Sequence, residues 1–325
     1  MNRKFFKFLL IFLVPVVGVL AVMLVGKIDT DWEVKIVGAD EFLPFQNNSR
    51  IATATTSVAL RLEENLPVIH ATSTFYPMFA AIVQATYSED SYKDELQLVS
   101  TEQAIDDIKK GRTDVIVATM PSKEQLDSLK NSNLEFVKIA REPLILYNSR
   151  DNPVDNLTID EVTKIYNGSI STWSMLGGKN HPIVAYQLKS GNSSQTCFNS
   201  VFNNNRVDDW HRESGEMHDI IIKVAGDEDA IGYAFHSFYT LMCNSEKLKL
   251  LKIEGVLPIE ENFRKGGKDK ENGENEGSYP LLFDVYFIYN RETKNENIVE
   301  LLDWILLESG GQSVIRGMGY VGVKG

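Results

Sequence analysis

Three short hydroxyl-rich runs stand where helices should begin: Thr72-Ser73-Thr74, Ser100-Thr101 and Asn192-Ser193-Ser194. The first four N–H groups of a helix have no partner inside it, and the helix dipole leaves partial positive charge at that end. A helix start flanked by Ser or Thr can therefore cradle an anion or oxyanion. Three such starts from distant parts of one chain could converge on one small ligand. Ser and Thr are also the ordinary N-cap residues, so each run taken alone reads as a cap. Their order and surroundings must decide.

The other chemistry-bearing residues carry blander readings. His70, His181, His211, His218 and His236 are scattered, and no Cys/His cluster has metal-ligand spacing, so neither metal nor cofactor is expected. A hydrolase built on Ser193 or Ser194 would call for a Gly-x-Ser-x-Gly elbow, and none occurs; no catalytic residue and no enzyme activity is expected. Cys197 and Cys243, the only cysteines, lie 46 residues apart in stretches read as helical; a disulfide and two inert buried thiols are both open. His236 reads as a satisfied histidine on a helix face, and Asp114 as an acceptor that ties down a loop. Trp173, Trp210 and Trp304 read as core. Arg141 either bridges strands at a hinge or sits in a surface salt bridge.

At 325 residues, 43% of them hydrophobic, the chain can bury a substantial core and is expected to form two lobes. Arg3, Lys4 and Lys7 precede 18 uncharged residues, Phe8 to Val25, closed by Gly26-Lys27. That length fits a short membrane span better than a signal-peptide core, and no convincing cleavage site follows. Residues 1–27 are therefore expected to be an uncleaved signal-anchor, with the N-terminus inside and the bulk of the chain extracytoplasmic. Cleavage is the close alternative. Beyond residue 30 there are 29 Lys and Arg against 44 Asp and Glu, a net charge of −15. This disfavours nucleic acid and anionic membrane surfaces as partners, yet a pocket of neutral dipoles can still hold a small anion.

Residues 28–65 read as a stalk and entry segment, with a helix expected over Ile51–Glu64. From Leu66 strands and helices alternate, which implies a mostly parallel sheet. Strands are expected at 67–71, 96–99, 113–119, 134–139 and 141–148, with helices starting at Pro77, Ser100 and Ser122. Ser100 with Gln103, and Thr158 with Glu161, have capping-box spacing, and Gly111 should close the helix before it. Turn-rich Ser149 to Asn156 marks the crossing between lobes. The first lobe takes residues 66–148 and 254–325, the second 149–253. Residues 264–278, rich in Gly, Lys, Glu and Asn, are expected as a surface loop.

The ordered motifs resemble the phosphate-binding proteins of bacterial ABC transporters, in particular their Gram-positive branch. The matching stretches are His70–Pro77 (HATSTFYP), Gly111–Thr119 (GRTDVIVAT), Ala140–Leu144 (AREPL) and Asp151–Thr158 (DNPVDNLT). Ile165–Trp173 (IYNGSISTW), Ser190–Thr196 (SGNSSQT), Ala230–Phe235 (AIGYAF), Tyr279–Leu281 (YPL) and Leu302–Ile305 (LDWI) continue the series. The resemblance implies a type II periplasmic-binding-protein fold, two α/β lobes hinged around a ligand cleft. It implies a monomer that binds phosphate or a similar anion and delivers it to an ABC permease. Carried over residue by residue, its ligand loops fall on Thr72, Ser73 and Thr74, on Ser100 and Thr101, and on Asn192, Ser193 and Ser194. Three departures stand out. His70-Ala71 replaces the family's Asp-Gly. Gln187-Leu188 stands where an Arg is usual, leaving Lys189 as the nearby charge. Thr119 or Met120 takes the place of an acidic residue. The altered pocket also keeps open a ligand sensor or interaction module that has lost transport.

Overall fold

Apolar strands run into capped helices throughout the computed structural model, which describes residues 34–51, 58–202, 212–264 and 277–323. Strand β1 (Ile69–Ala71) leads to α1 (Tyr76–Thr86), β2 (Leu96–Leu98) to α2 (Thr101–Lys109) and β3 (Val115–Thr119) to α3 (Lys123–Leu129). The long β4 (Leu134–Ser149) is followed by α4 (Ile159–Tyr166), β5 (Val184–Leu188), α5 (Ser193–Phe202), β6 (Arg212–Ser214) and α6 (Met217–Ala225). Then come β7 (Ala230–Phe235), α7 (His236–Leu241), β8 (Leu248–Leu250), α8 (Glu260–Arg264) and β9 (Leu282–Asn290). Helices α9 (Glu296–Leu306) and α10 (Gly311–Gly317) precede β10 (Val321–Gly322). The caps expected at Ser100 and Thr158 form, although Ser100 makes only half of its box because the Gln103 side chain goes to Asp107. Ser100 accepts the Gln103 N–H, and Thr158 with Glu161 forms a reciprocal box, as Ser122 does with Gln125. Gly111 takes a positive φ of 66° where α2 ends.

One ten-stranded sheet runs in the order β2-β1-β3-β9-β4-β7-β5-β6, with β8 and β10 also paired to β4. It holds two parallel sets, β2-β1-β3 and β7-β5-β6, joined through the antiparallel pair β9 and β4. The sheet is thus mixed rather than mostly parallel. The expectation failed because β4 is one strand of 16 residues, not two. A register irregularity opposite Val285/Tyr286 absorbs the break that the sequence suggested there.

The register has a geometric consequence. Thr119, the last residue of β3, is level with Val285, which is level with Ala140. Phe235, the last residue of β7, is level with Leu144. The carboxyl ends of both parallel sets therefore meet along residues 140–144 of β4. At that junction Glu142 is fully buried, and its carboxyl accepts the Ser237 N–H at 2.7 Å, at the first turn of α7. Burial pushes its pKa up to about 8 from 4.5, outweighing the hydrogen bonds it accepts from Ser237 and His236.

On one face of the first set, α1 buries Met78, Phe79, Ile82 and Val83; on the other, α2 and α3 bury Ala104, Ile105, Ile108 and Leu129 against Ile116 and Ile288. The second set packs around aromatics: Phe198 stacks on Tyr233 at 4.3 Å and meets Tyr166 edge-on at 4.6 Å. The Tyr233 hydroxyl accepts the Leu188 N–H at 2.9 Å and donates to Gln195, which fixes the start of α5 over β5 and β7. Trp173 and Trp304 are core as expected; Trp210 lies outside the described residues.

Other expectations need correction. Residues 58–64 are not helical: Leu62 bridges Tyr87 because its N–H and C=O are taken by Thr86 and Ser88. Residues 34–51, read as part of a stalk, pack on the body, with Phe42 buried and Lys35–Ile36 paired to Cys243–Asn244. That pairing puts Cys243 in a strand rather than a helix. The expected anchor, residues 1–27, and most of the 264–278 loop lie outside the described residues; among those described, no helix is long and apolar enough to cross a membrane.

A Cβ added to Gly232 in β7 would come within 2.5 Å of Ile220 and 3.0 Å of Val224 on α6. Gly232→Ala should cost about 1–3 kcal/mol in denaturant unfolding; an unchanged midpoint would contradict this packing. Because the folded state holds the Glu142 proton more tightly than the unfolded chain, its contribution is whole below pH 4.5 and is lost as pH rises through about 8. Glu142→Gln should flatten the stability profile over that window, and an identical profile in both proteins would refute the assignment.

Candidate functional site

All three hydroxyl runs lie just past the carboxyl ends of parallel strands, the usual place for a ligand crevice in an open α/β sheet. The first run follows β1. Thr72 and Thr74 are buried and Ser73 is half-buried. Their hydroxyls do not cap α1: the Thr72 carbonyl takes the N–H groups of Phe75 at 2.9 Å and Tyr76 at 2.8 Å, and Phe75 is the N-cap. Thr72 Oγ1 is consequently left buried without a hydrogen-bond partner. The N–H groups of Ser73 and Thr74 also meet no acceptor among the described residues. The Tyr320 hydroxyl donates to the Thr74 carbonyl and pins the run from the C-terminal side.

The second and third runs touch. Ser100 spends its hydroxyl on capping α2, at 3.1 Å from the Gln103 nitrogen, while Thr101 Oγ1 lies 2.9 Å from Ser193 Oγ. Those two residues belong to different parallel sets. Nearby, the Gln125 side-chain amide donates to the Gly191 carbonyl at 3.4 Å. Asn192 and Ser194 use their polar groups on each other: Asn192 Oδ1 accepts the Ser194 N–H at 3.0 Å and its hydroxyl at 2.8 Å. The Ser193 N–H has no acceptor among the described residues. The first run joins the second through the Val99 N–H, which donates to Ala71 at 3.0 Å. No hydrogen bond ties the first run to the third among the described residues.

A cleft of about 1510 Å³ opens beside this seam. Its walls include Lys138, Arg141 and Asp284 from the central strands, Gln195 and Cys197 from α5, and Met120 to Glu124 after β3. None of the hydroxyl-run residues lines it, although Gly191 and Gln195 on either side of the third run do. Thr119 is buried and its hydroxyl has no hydrogen-bond partner; Lys189 is exposed, and Gln187 is buried.

The sequence reading undervalued Arg141 and Glu142. Arg141 is not in a surface salt bridge: it is buried, and its Nε and Nη2 have no hydrogen-bond partner. Burial lowers its pKa, opposed by the attraction of Asp284. The available signal was a charged pair in the middle of an otherwise apolar run, Ile139-Ala-Arg-Glu-Pro-Leu-Ile-Leu146. Such a pair in a strand covered on both faces calls for a reason.

The remaining candidates stay quiet. Cys197 and Cys243 are free and buried, and burial pushes each thiol up to about 12, which leaves both unreactive. His236 is at the first position of α7, edge-on to Phe263 at 4.9 Å; burial lowers its pKa to about 4, so it is neutral. It is not a satisfied histidine, since Nδ1 has no partner. His181, Glu228 and Asp229 could together approach a metal ion, but Lys179 already holds Glu228 at 2.8 Å and His181 holds Asp229 at 2.9 Å.

Known proteins resemble this chain in sequence and in fold. The phosphate-binding protein PstS of Staphylococcus haemolyticus is 25% identical over 218 residues, which cover 65% of this chain and 66% of that protein, just under two thirds of its length. A Clostridium perfringens structure, described as a phosphate ABC transporter substrate-binding protein with bound phosphate, superposes with a TM-score of 0.61. It shares 22% identity and covers 81% of this chain and 100% of its own. An ABC-type phosphate transport receptor from Vibrio cholerae gives a TM-score of 0.59 at 18% identity, over 78% and 98% of the two chains. At these identities the two structures speak to the fold. The family model described as the PBP superfamily domain matches residues 63–309, so the strands that build the junction, and the loops that follow them, are those of a PBP superfamily member, the family to which this chain belongs.

Proposed function

We propose that the chain is an extracytoplasmic solute-binding protein, tethered by residues 1–27, that holds phosphate or a related small oxyanion and delivers it to an ABC permease. The observation that carries this reading is the 2.9 Å approach of Thr101 to Ser193, because it joins loops that follow opposed parallel sets. Around that contact lie N–H groups without acceptors, at Ser73, Thr74 and Ser193, and the buried unpartnered hydroxyl of Thr72. Unpaired donors at strand ends and helix starts suit an anion and little else. The names of the relatives point the same way.

In this reading the fold is of the type II kind. One lobe takes residues 66–148 and 254–325, the other takes 149–253, and β4, which ends at their boundary, pairs with β7 of the second as part of the hinge. Closure would exclude water, strengthening each hydrogen bond to the guest. Thr72, Ser73, Thr74, Thr101 and Ser193 would provide donors to it. Ser100, Asn192 and Ser194 would hold the helix starts in place, since their side chains are engaged in capping or with each other.

A second reading, a sensor or interaction module without transport, is favoured by the loop after β5. Gln187, near the end of β5, is neutral, and Lys189 just after the strand is exposed, so no buried cation comes from that neighbourhood. Calorimetry of the full chain with phosphate, sulfate and molybdate separates the readings: tight binding of one of them supports delivery, and millimolar or weaker binding of all three supports the alternative. Ser73→Asp should weaken oxyanion binding by about 100-fold or more through like-charge repulsion. The melting temperature of the empty protein should hardly change, because Ser73 is half-buried and its side chain makes no hydrogen bond among the described residues. Unaltered titration heats in this variant would remove the first run from the site.

A further inference from the structure

Arg141 is the residue that the fold alone does not explain. It is 7% exposed, and neither Nε nor Nη2 has a hydrogen-bond partner. Asp284 lies directly across the strand pair, but its carboxylate is already held by Lys138 at 2.6 Å. Burying a guanidinium without its hydrogen bonds is costly, so an unpartnered one calls for an explanation, of which a bound ion is one.

The surroundings say what that is. Arg141 stands within residues 140–144, where the carboxyl ends of both parallel sets meet. It lines the same cleft as Gln195 and Cys197 in α5, and Thr119 at the end of β3 is buried with its hydroxyl unpartnered. The loop after β5 supplies no competing cation, with Gln187 uncharged and Lys189 in solvent.

We propose that Arg141 is the charged partner of the bound oxyanion, its guanidinium delivered from the strand that crosses between the two halves of the sheet. This rests on the oxyanion reading given above. A planar fork presents two N–H groups to two oxygens of one tetrahedral anion, whereas a lysine at the same place would act as a point charge. The exposed Lys189 then has no part in holding the ligand.

The test is titration calorimetry of the full chain in mild detergent with inorganic phosphate at fixed ionic strength, alongside melting of the empty proteins. Arg141→Gln should weaken phosphate binding roughly 10- to 100-fold without lowering the melting temperature of the empty protein. Arg141→Lys should recover part of the loss, and Lys189→Gln should bind as the parent does. Full-strength binding by Arg141→Gln, or loss confined to Lys189→Gln, overturns the proposal. So does a fall in both affinity and empty-protein melting temperature in Arg141→Gln, which marks a structural role. If Arg141→Gln does not fold, the lysine variant decides: undiminished binding overturns the fork, and weakened binding with unchanged melting supports it. A parent protein that binds none of phosphate, sulfate and molybdate fails the oxyanion reading itself, and this proposal with it.

Discussion

The register of β4 is the constraint on which the rest depends. One strand pairs with β9 over residues 134–143 and with β7 over 144–148, so it belongs to both halves of the sheet. Since β9 is antiparallel to β3, and β4 to β7, the two parallel sets run in opposite directions and their carboxyl ends are brought to the same few residues. The helices that start there, α1, α2, α5 and α7, turn their N-terminal dipoles toward one region. A one-residue slip of β4 would carry Arg141 and Glu142 to opposite faces from those they now occupy. Pro143 offers no N–H, and Leu144 resumes pairing by donating to the Leu281 carbonyl at 2.9 Å. The chain can therefore change partners at this point without stranding a buried donor.

Electrostatics fit a site made largely of dipoles. The chain carries a net charge of −12, which slows the approach of any anion. Fixed N–H groups and hydroxyls need no counter-ion, and leaving them unpaired costs less than leaving a buried charge unpaired. Glu142, held neutral over much of the ordinary pH range by burial, adds no repulsion at the junction. Its carboxyl instead ties the crossing strand to the start of α7.

Much of this was legible in the sequence. The capping boxes at Ser122 and Thr158 and the Ser100 cap follow from local chemistry, because a cap needs only residues within one turn. The buried strand at 115–119 was clear from its unbroken apolar run. What was hidden is long-range. Whether Leu134–Ile139 and Arg141–Asn148 are one strand depends on β9, whose paired residues lie 139 to 156 positions further on. The antiparallel joints depend on the same partner. The first hydroxyl run does stand just before α1, but its side chains do not cap the helix, since the Thr72 carbonyl does that work. Arg141 reads equally as a bridge between hinge strands or as half of a surface salt bridge, because a sequence shows charge but not burial.

Hydrogen exchange of the full chain, followed peptide by peptide with and without inorganic phosphate, addresses the central claim most directly. If one anion is held by loops that follow both opposed sets, phosphate should protect the segments around residues 72–76 and 192–196 together, at the same ligand concentration. Protection confined to one of these segments, or found only elsewhere in the chain, would contradict a shared site at the middle of β4.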